Sequence, residues 1–353
     1  MSKKQVVAAG HVCLDITPVF PADKVRTPAE LLIPGKLLRM EGVDVHTGGS
    51  VANTGLAMAF LGADVHLMGK VGDDDFGKMI LDVLRRHGGD VAGMKIDSDT
   101  VTSYSVVLAL PGQDRLFLHA PGANDTFSLA DVNFDVVQNA DLFHFGYPPL
   151  MRRMYENDGA ELVELFRRVK ELGLATSLDM AAIDPSSAAA KVNWRKLLTE
   201  LLPYVDFFLP SIEELCVMLR YPTDTEPEVL AQELLSMGAK VVVIKCGEKG
   251  LYYRTAADLS GVGGKAELNT SAWKNRQGFQ PAFPPEKVCS ATGAGDTCIA
   301  AFLTAMLEGH DLEDCIRLAA ATGASCVEAY DALSGLKSFA ELEEKINNGW
   351  GKE

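Results

Sequence analysis

The chain has 353 residues, 47% hydrophobic and 23% charged, which is long and apolar enough to bury a large core. Its net charge of −15 argues against a nucleic-acid-binding face, which is normally basic. It leaves room for an anionic ligand, because a local nest of backbone amides binds phosphate even on an acidic protein.

Residues 1–7 carry Lys3 and Lys4 but no apolar core ahead of His11 and Asp15, so a signal peptide is not expected. Short apolar runs then alternate with helical patterns. Strands are predicted at 6–9, 65–68, 142–145, 175–178, 207–209 and 241–244, and helices at 51–61, 76–87, 159–172, 212–219 and 228–237. Wholly apolar strands separated by helices mark a mostly parallel sheet covered on both faces. Beyond Asp296 the pattern becomes nearly continuous helix, at 297–307, 312–328 and 339–346.

Two stretches break the alternation. Residues 102–110 and 115–119 flank the turn Pro111-Gly112-Gln113-Asp114 and read as an antiparallel hairpin. Residues 15–45, rich in Pro and Gly, are expected to add short strands, the two together forming a small β lid. The predicted division is therefore an α/β domain at 1–14, 46–98 and 121–353, with the lid at 15–45 and 99–120. The polar stretch 261–285 reads as a surface excursion between strands. No run of about 18 apolar residues occurs, so no membrane span is expected. The seven cysteines are scattered with no C-x-x-C pair, which suits buried free thiols in a reducing cytoplasm rather than a zinc site.

Three motifs carry chemistry. Gly10-His11-Val12-Cys13-Leu14-Asp15 follows the first strand, where open α/β sheets bind ligands, and so places Asp15 near one. Gly48-Gly49-Ser50-Val51-Ala52-Asn53 opens a helix, and Asn53 offers donor and acceptor to a sugar hydroxyl. Ala291-Thr292-Gly293-Ala294-Gly295-Asp296-Thr297 also opens an apolar helix. Its small residues let the backbone approach a ligand, and first-turn amides with the helix dipole form an anion hole for a phosphoryl group. Asp296, at that same helix start, can take the proton of an attacking hydroxyl.

Gly48–Asn53, Gly69-Lys70-Val71-Gly72-Asp73-Asp74-Asp75-Phe76-Gly77 and Thr292–Asp296, in this order, resemble the two signatures of the ribokinase-like (PfkB) carbohydrate kinases across nearly the whole chain. The resemblance implies a three-layer α/β/α domain with a small β lid, and an ATP-dependent sugar kinase using Mg²⁺. It implies Asp296 as general base, Gly293, Ala294 and Gly295 as anion hole, and Asp15, Gly49, Asn53 and Asn124 as substrate-binding residues. Lys245, Gly247, Lys249 and Gly250 would belong to the nucleotide loop, Glu214 would organise Mg²⁺ through water, and Tyr104 or Val106 would give apolar cover from the lid. A homodimer through the lid edge is compatible with this picture. Two departures stand out: Ser211 where relatives carry Asn, and Ser290 where they carry Asp, which removes a carboxylate that would balance a K⁺ ion. Cys13 and Gly146 replace polar groups of ribokinases proper, so ribose is not the favoured substrate. Two alternatives stay open: a nucleoside kinase using Phe117, Phe145 or Tyr147 as a base slot, and a non-catalytic sugar sensor. A dehydrogenase would want G-x-G-x-x-G in the first strand–helix turn, which is instead Gly10–Asp15.

Overall fold

The computed structural model describes residues 3–21, 27, 29, 33–110 and 115–351. In chain order the strands are β1 (Gln5–Gly10), β2 (Cys13–Val19), β3 (Gly42–Gly48), β4 (Asp64–Met68), β5 (Lys70–Gly72), β6 (Lys95–Asp97) and β7 (Tyr104–Leu108). They continue with β8 (Leu116–Ala120), β9 (Leu142–Gly146), β10 (Ala175–Asp179), β11 (Phe207–Phe208), β12 (Val241–Lys245), β13 (Gly250–Thr255) and β14 (Gln277–Pro281).

The main sheet runs β14-β13-β12-β11-β10-β9-β1-β4. From β12 to β4 every pairing is parallel, while β13 and β14 extend the other edge antiparallel. The apolar runs explain the layering. In β1, Val6 and Ala8 join one core with Leu56 and Phe302, whereas Val7 and Ala9 join a second core with Leu162 and Phe166. A strand buried on both faces has to be apolar throughout, which is why these segments do not alternate. Helices Ser50–Phe60, Ala294–Glu308 and Leu312–Cys326 cover the first face, and Ala160–Glu171, Trp194–Leu201, Ile212–Leu219 and Pro227–Ser236 the second. The expected three-layer α/β/α arrangement is observed.

A second sheet, ordered β3-β2-β7-β8, stands beside the first. The expected hairpin is present as the antiparallel pair β7–β8, with Ser105 opposite His119 and Val107 opposite Phe117. Its turn, Pro111–Asp114, lies outside the described residues. One expectation is inverted here. The cavity is lined from the lid by Ser105, Arg115, Phe117 and His119, not by Tyr104 or Val106. Side chains alternate along a strand, and Tyr104 turns the other way to meet Phe76, with ring centroids 5.8 Å apart. The stretch 261–285 also departs from the expected surface excursion. It buries Val262 and Trp273 and contributes β14 to the sheet edge.

The Gly69–Gly77 motif serves the scaffold. Asp74 caps helix Asp75–Arg86 by accepting from Gly77 N at 2.8 Å, and also accepts from Thr102 N at 2.8 Å, tying that helix to the foot of β7. Lys70 pairs with Asp131 at 3.0 Å and Asp97 at 3.4 Å.

His144 is fully buried in β9 and bonded to Ser50 Oγ at 3.0 Å and Ser177 Oγ at 3.1 Å, joining helix Ser50–Phe60 to β9 and β10. Burial, and secondarily the charge of Lys245, lowers its pKa to about 3. A depressed value means that its stabilising share is complete above the unfolded histidine pKa and is lost as pH falls towards the folded one. By pH 5 that loss is about 2 kcal/mol. Urea denaturation at pH 7 and pH 5 should show the drop, and His144→Asn should flatten it.

Candidate active site

The C-terminal ends of the parallel strands converge on one point. Gly10, Gly146 and Asp179 are neighbours across β1, β9 and β10, and Lys245 ends β12. The residues that follow these strands, together with the lid and helix Ala294–Glu308, enclose a cavity of about 1420 Å³. It lies where open α/β sheets place ligands.

Asp296 sits in the first turn of helix Ala294–Glu308, 3% exposed. Oδ2 accepts from Asn53 Nδ2 at 3.0 Å and Oδ1 from Thr54 Oγ1 at 3.2 Å. The Tyr147 hydroxyl lies 2.9 Å from both oxygens. Gly293 caps the helix at φ 75, and a Cβ there would stand 2.2 Å from Ala332 Cβ, so glycine is required by conformation and by space. The amide of Ala294 is bonded to Ala291 O at 3.3 Å, whereas those of Gly295 and Asp296 are first-turn groups with no carbonyl earlier in the helix to meet. They are therefore the better anion donors.

Lys245 approaches this turn from β12. Its Nζ would lie 3.5 Å from a Cβ on Gly295 and is 2.7 Å from Asp179 Oδ1. Burial pulls the ammonium pKa down, but Asp179, Glu214 and Asp296 more than reverse this, so the lysine stays charged. A fixed positive charge thus stands beside the helix N-terminus.

At the lid end, Asp15 lines the cavity beside Gly49 and Asn53. Burial raises its pKa, opposed by hydrogen bonds from Cys13, whose Sγ is 3.3 Å from Oδ1, and from Ser105. Gly49 precedes helix Ser50–Phe60 at φ 88, and a Cβ there would meet the His11 carbonyl oxygen at 2.5 Å. The Asn53 amide nitrogen is committed to Asp296, which leaves Oδ1 as its acceptor for a ligand. Arg115 reaches from the lid to Ser290 Oγ at 3.1 Å, and Ser290 donates to Thr292 Oγ1 at 3.0 Å. His11 and His119 meet through their Nε2 atoms at 3.4 Å, bringing the lid onto the loop after β1.

Two predicted residues fall elsewhere. Asn124 is fully buried, and its amide accepts from Val12 N at 3.2 Å and donates to Val12 O at 2.9 Å. It holds the loop after β1 and does not face the cavity, because both ends of its side chain are used on backbone. Lys249 is exposed, while its neighbours Gly247 and Gly250 line the cavity. Of the aromatic candidates, Phe117 and Tyr147 line the cavity, but Phe145 is core, stacked among Phe127, Phe143 and Phe166. Glu214 lines the cavity through a capping box, Oε2 accepting from Ser211 N at 2.7 Å. Sequence reasoning misses Asp179, Thr54, Arg115 and the hydroxyl contact of Tyr147. The position of Asp179 at the end of a predicted parallel strand was the available signal.

The sequence pattern described as "pfkB family carbohydrate kinase" matches residues 3–338. Fructokinase-2 of Oryza sativa subsp. japonica is 27% identical over 312 residues, covering 85% of this chain and 84% of that one. A ribokinase from Arabidopsis thaliana, solved with ribose and ATP, superimposes with a TM-score of 0.75 at 23% identity, covering 98% of each chain. An E. coli protein described as ribokinase II, solved with ATP and Mg²⁺, gives 0.75 at 21% identity, covering 98% of this chain and 99% of that one.

Proposed function

The chain belongs to the pfkB family of carbohydrate kinases, and from that premise we propose that it transfers the γ-phosphoryl group of ATP to a hydroxyl of a small sugar, with Asp296 as general base. The observation that carries this reading is the placing of Asp296 in the first turn of a helix whose amides and the Lys245 ammonium face the same cavity. Asp15, Gly49 and the Asn53 Oδ1 would hold the sugar. The acceptor proton passes to Asp296, the acceptor oxygen bonds the γ-phosphorus, and the bond to the β–γ bridging oxygen breaks to release ADP. Charge developing on the phosphoryl oxygens is met by the Gly295 and Asp296 amides and by Lys245. The lid, already against His11 and Ser290, would shield the reaction from water.

Among the described residues no cluster of three or more acidic, histidine or cysteine side chains is arranged to hold a metal. Glu214, on the cavity wall, would hold through water a Mg²⁺ carried in on the phosphates. When bound, the ion would neutralise phosphate charge. K⁺ beside Ser290 is disfavoured, because the serine supplies no carboxylate of its own and Arg115 brings a positive charge to it. A cytoplasmic location suits the use of ATP, and no described helix is long and apolar enough to cross a membrane. The edge strand β8, with Leu116 44% and Leu118 51% exposed, supports pairing of two copies through the lid.

The test is ADP release from ATP and Mg²⁺ across hexoses, pentoses, sugar acids and nucleosides. A sugar such as fructose should be the strong acceptor, and adenosine should be poor. A response to adenosine alone would move the assignment to a nucleoside kinase.

A further inference from the structure

Three donors crowd the carboxylate of Asp296. A carboxylate offers about four lone-pair positions. Here Thr54 donates to Oδ1 at 3.2 Å and Asn53 to Oδ2 at 3.0 Å, while the single Tyr147 O–H stands astride the carboxylate, its oxygen 2.9 Å from both Oδ1 and Oδ2, where a further hydroxyl would have to approach. A base needs an open position to receive a proton from an attacking hydroxyl. Thr54 is fully buried on helix Ser50–Phe60, and Asn53 lies on the same helix, both held by its packing. Tyr147 is different. It enters from a loop, lines the cavity, and is the one donor shared by both oxygens, so its departure alone uncovers both to an incoming hydroxyl.

The backbone holds the phenol there. Tyr147 has φ 67 and ψ 40, a left-handed conformation that is strained for a residue with a side chain, between Gly146 and Pro148. Its ring packs against that of His11, centroids 5.8 Å apart. Burial, and then the charges of Asp296 and Asp179, push the phenol pKa well above its ordinary value, so it remains a donor at neutral pH.

We propose that Tyr147 is a displaceable plug on Asp296. Its phenol stands where the acceptor hydroxyl must bind, and until a carbohydrate displaces it the base is closed to water. This inference rests on the reading of Asp296 as the base. With water in place of the acceptor, its proton passes to Asp296, its oxygen bonds the γ-phosphorus, and the bond to the bridging oxygen breaks, giving ADP and phosphate. The plug suppresses that wasteful course while leaving the carbohydrate course open. Tyr147 is thus a positioning residue that selects the acceptor through Asp296.

The experiment needs no carbohydrate. Wild type, Tyr147→Phe, Asp296→Asn and the double variant are each given ATP and Mg²⁺, and phosphate release is followed. Tyr147→Phe should hydrolyse ATP at least about fivefold faster than wild type, the factor of one lost hydrogen bond, and the double variant should lose that gain. A tyrosine with a purely structural role would not raise hydrolysis when its hydroxyl is removed. Equal or lower rates in folded Tyr147→Phe overturn the plug and leave the role of Asp296 standing. A gain that persists in the double variant overturns Asp296 as the base, and the plug with it. If Tyr147→Phe does not fold, Tyr147→Leu is read by the same criteria.

Discussion

Replacing Asp296 by Asn is expected to lower carbohydrate phosphorylation by on the order of a thousandfold, the usual worth of a positioned general base. The substitution keeps the shape of the side chain and an acceptor for Asn53 or Thr54, so the helix start should survive. Its amide cannot take a proton, however, and its NH₂ group faces donors where the carboxylate met them with an oxygen. ATP affinity should change by no more than a few-fold, because Lys245 and the Gly295 amide are untouched. The measurement is a pair: steady-state turnover, and titration with a fluorescent ATP analogue. Turnover close to wild type would remove Asp296 from the mechanism. Turnover and nucleotide binding lost together would mean that it holds the site's shape and does not act as the base.

The second large effect concerns Lys245. Asp179 is only 1% exposed and its ion pair with Lys245 spans 2.7 Å, so Lys245→Met leaves a buried carboxylate without its cation. Breaking a buried pair from one side costs about 3–5 kcal/mol. Urea denaturation should therefore show one of the largest losses of any single substitution in this chain. The lysine pKa is raised, so its contribution is complete below the ordinary lysine value and is lost only as pH rises through the higher, folded one. Burial holds the Asp179 carboxyl up at about 8 even beside this lysine, so the loss in Lys245→Met should grow as pH rises from 6 to 9 and that carboxyl gives up its proton. The double variant Lys245→Met, Asp179→Leu should regain most of the stability, since no lone charge is then buried, while phosphoryl transfer stays low for want of the ammonium. Recovery of activity in the double variant would show that Lys245 serves only to neutralise Asp179.

What the sequence conveys and what it hides follow one physical line. The buried parallel strands centre on apolar residues, unbroken in β1 and β12 and interrupted by His144 in β9 and by Thr176 and Ser177 in β10, so these four are legible to within a residue or so. Gly293 and Gly49 are legible as tight turns because each opens an apolar helix, and the structure places both, with Asp296, on the cavity wall. The strand β14, Gln-Gly-Phe-Gln-Pro, is hidden, because an edge strand with its one large apolar residue, Phe279, 46% exposed carries no core signal. Helix Trp194–Leu201 is absent from the predicted elements although it carries the signal in full. Trp194, Leu197, Leu198 and Leu201 recur at helical spacing behind the cap Asn193. The lid face is read the wrong way round because β7 carries its large Tyr104 on one face and the small Ser105 on the cavity face, so alternation gives the period but not the side. Asn124 looks like a ligand residue because its amide has the chemistry of one. Only the fold shows that chemistry used on the backbone of Val12. The contact between Tyr147 and Asp296 joins residues 149 positions apart, and no local pattern announces such a pair.

The most direct test of the central claim is the mass of the acceptor after reaction. Wild-type protein is incubated with ATP, Mg²⁺ and a carbohydrate mixture, and the small molecules are analysed by mass spectrometry alongside the ADP formed. The account predicts one carbohydrate gaining a single phosphoryl group in amounts equal to the ADP, with neither formed by Asp296→Asn. ADP accompanied only by free phosphate, with every carbohydrate unchanged, would contradict it.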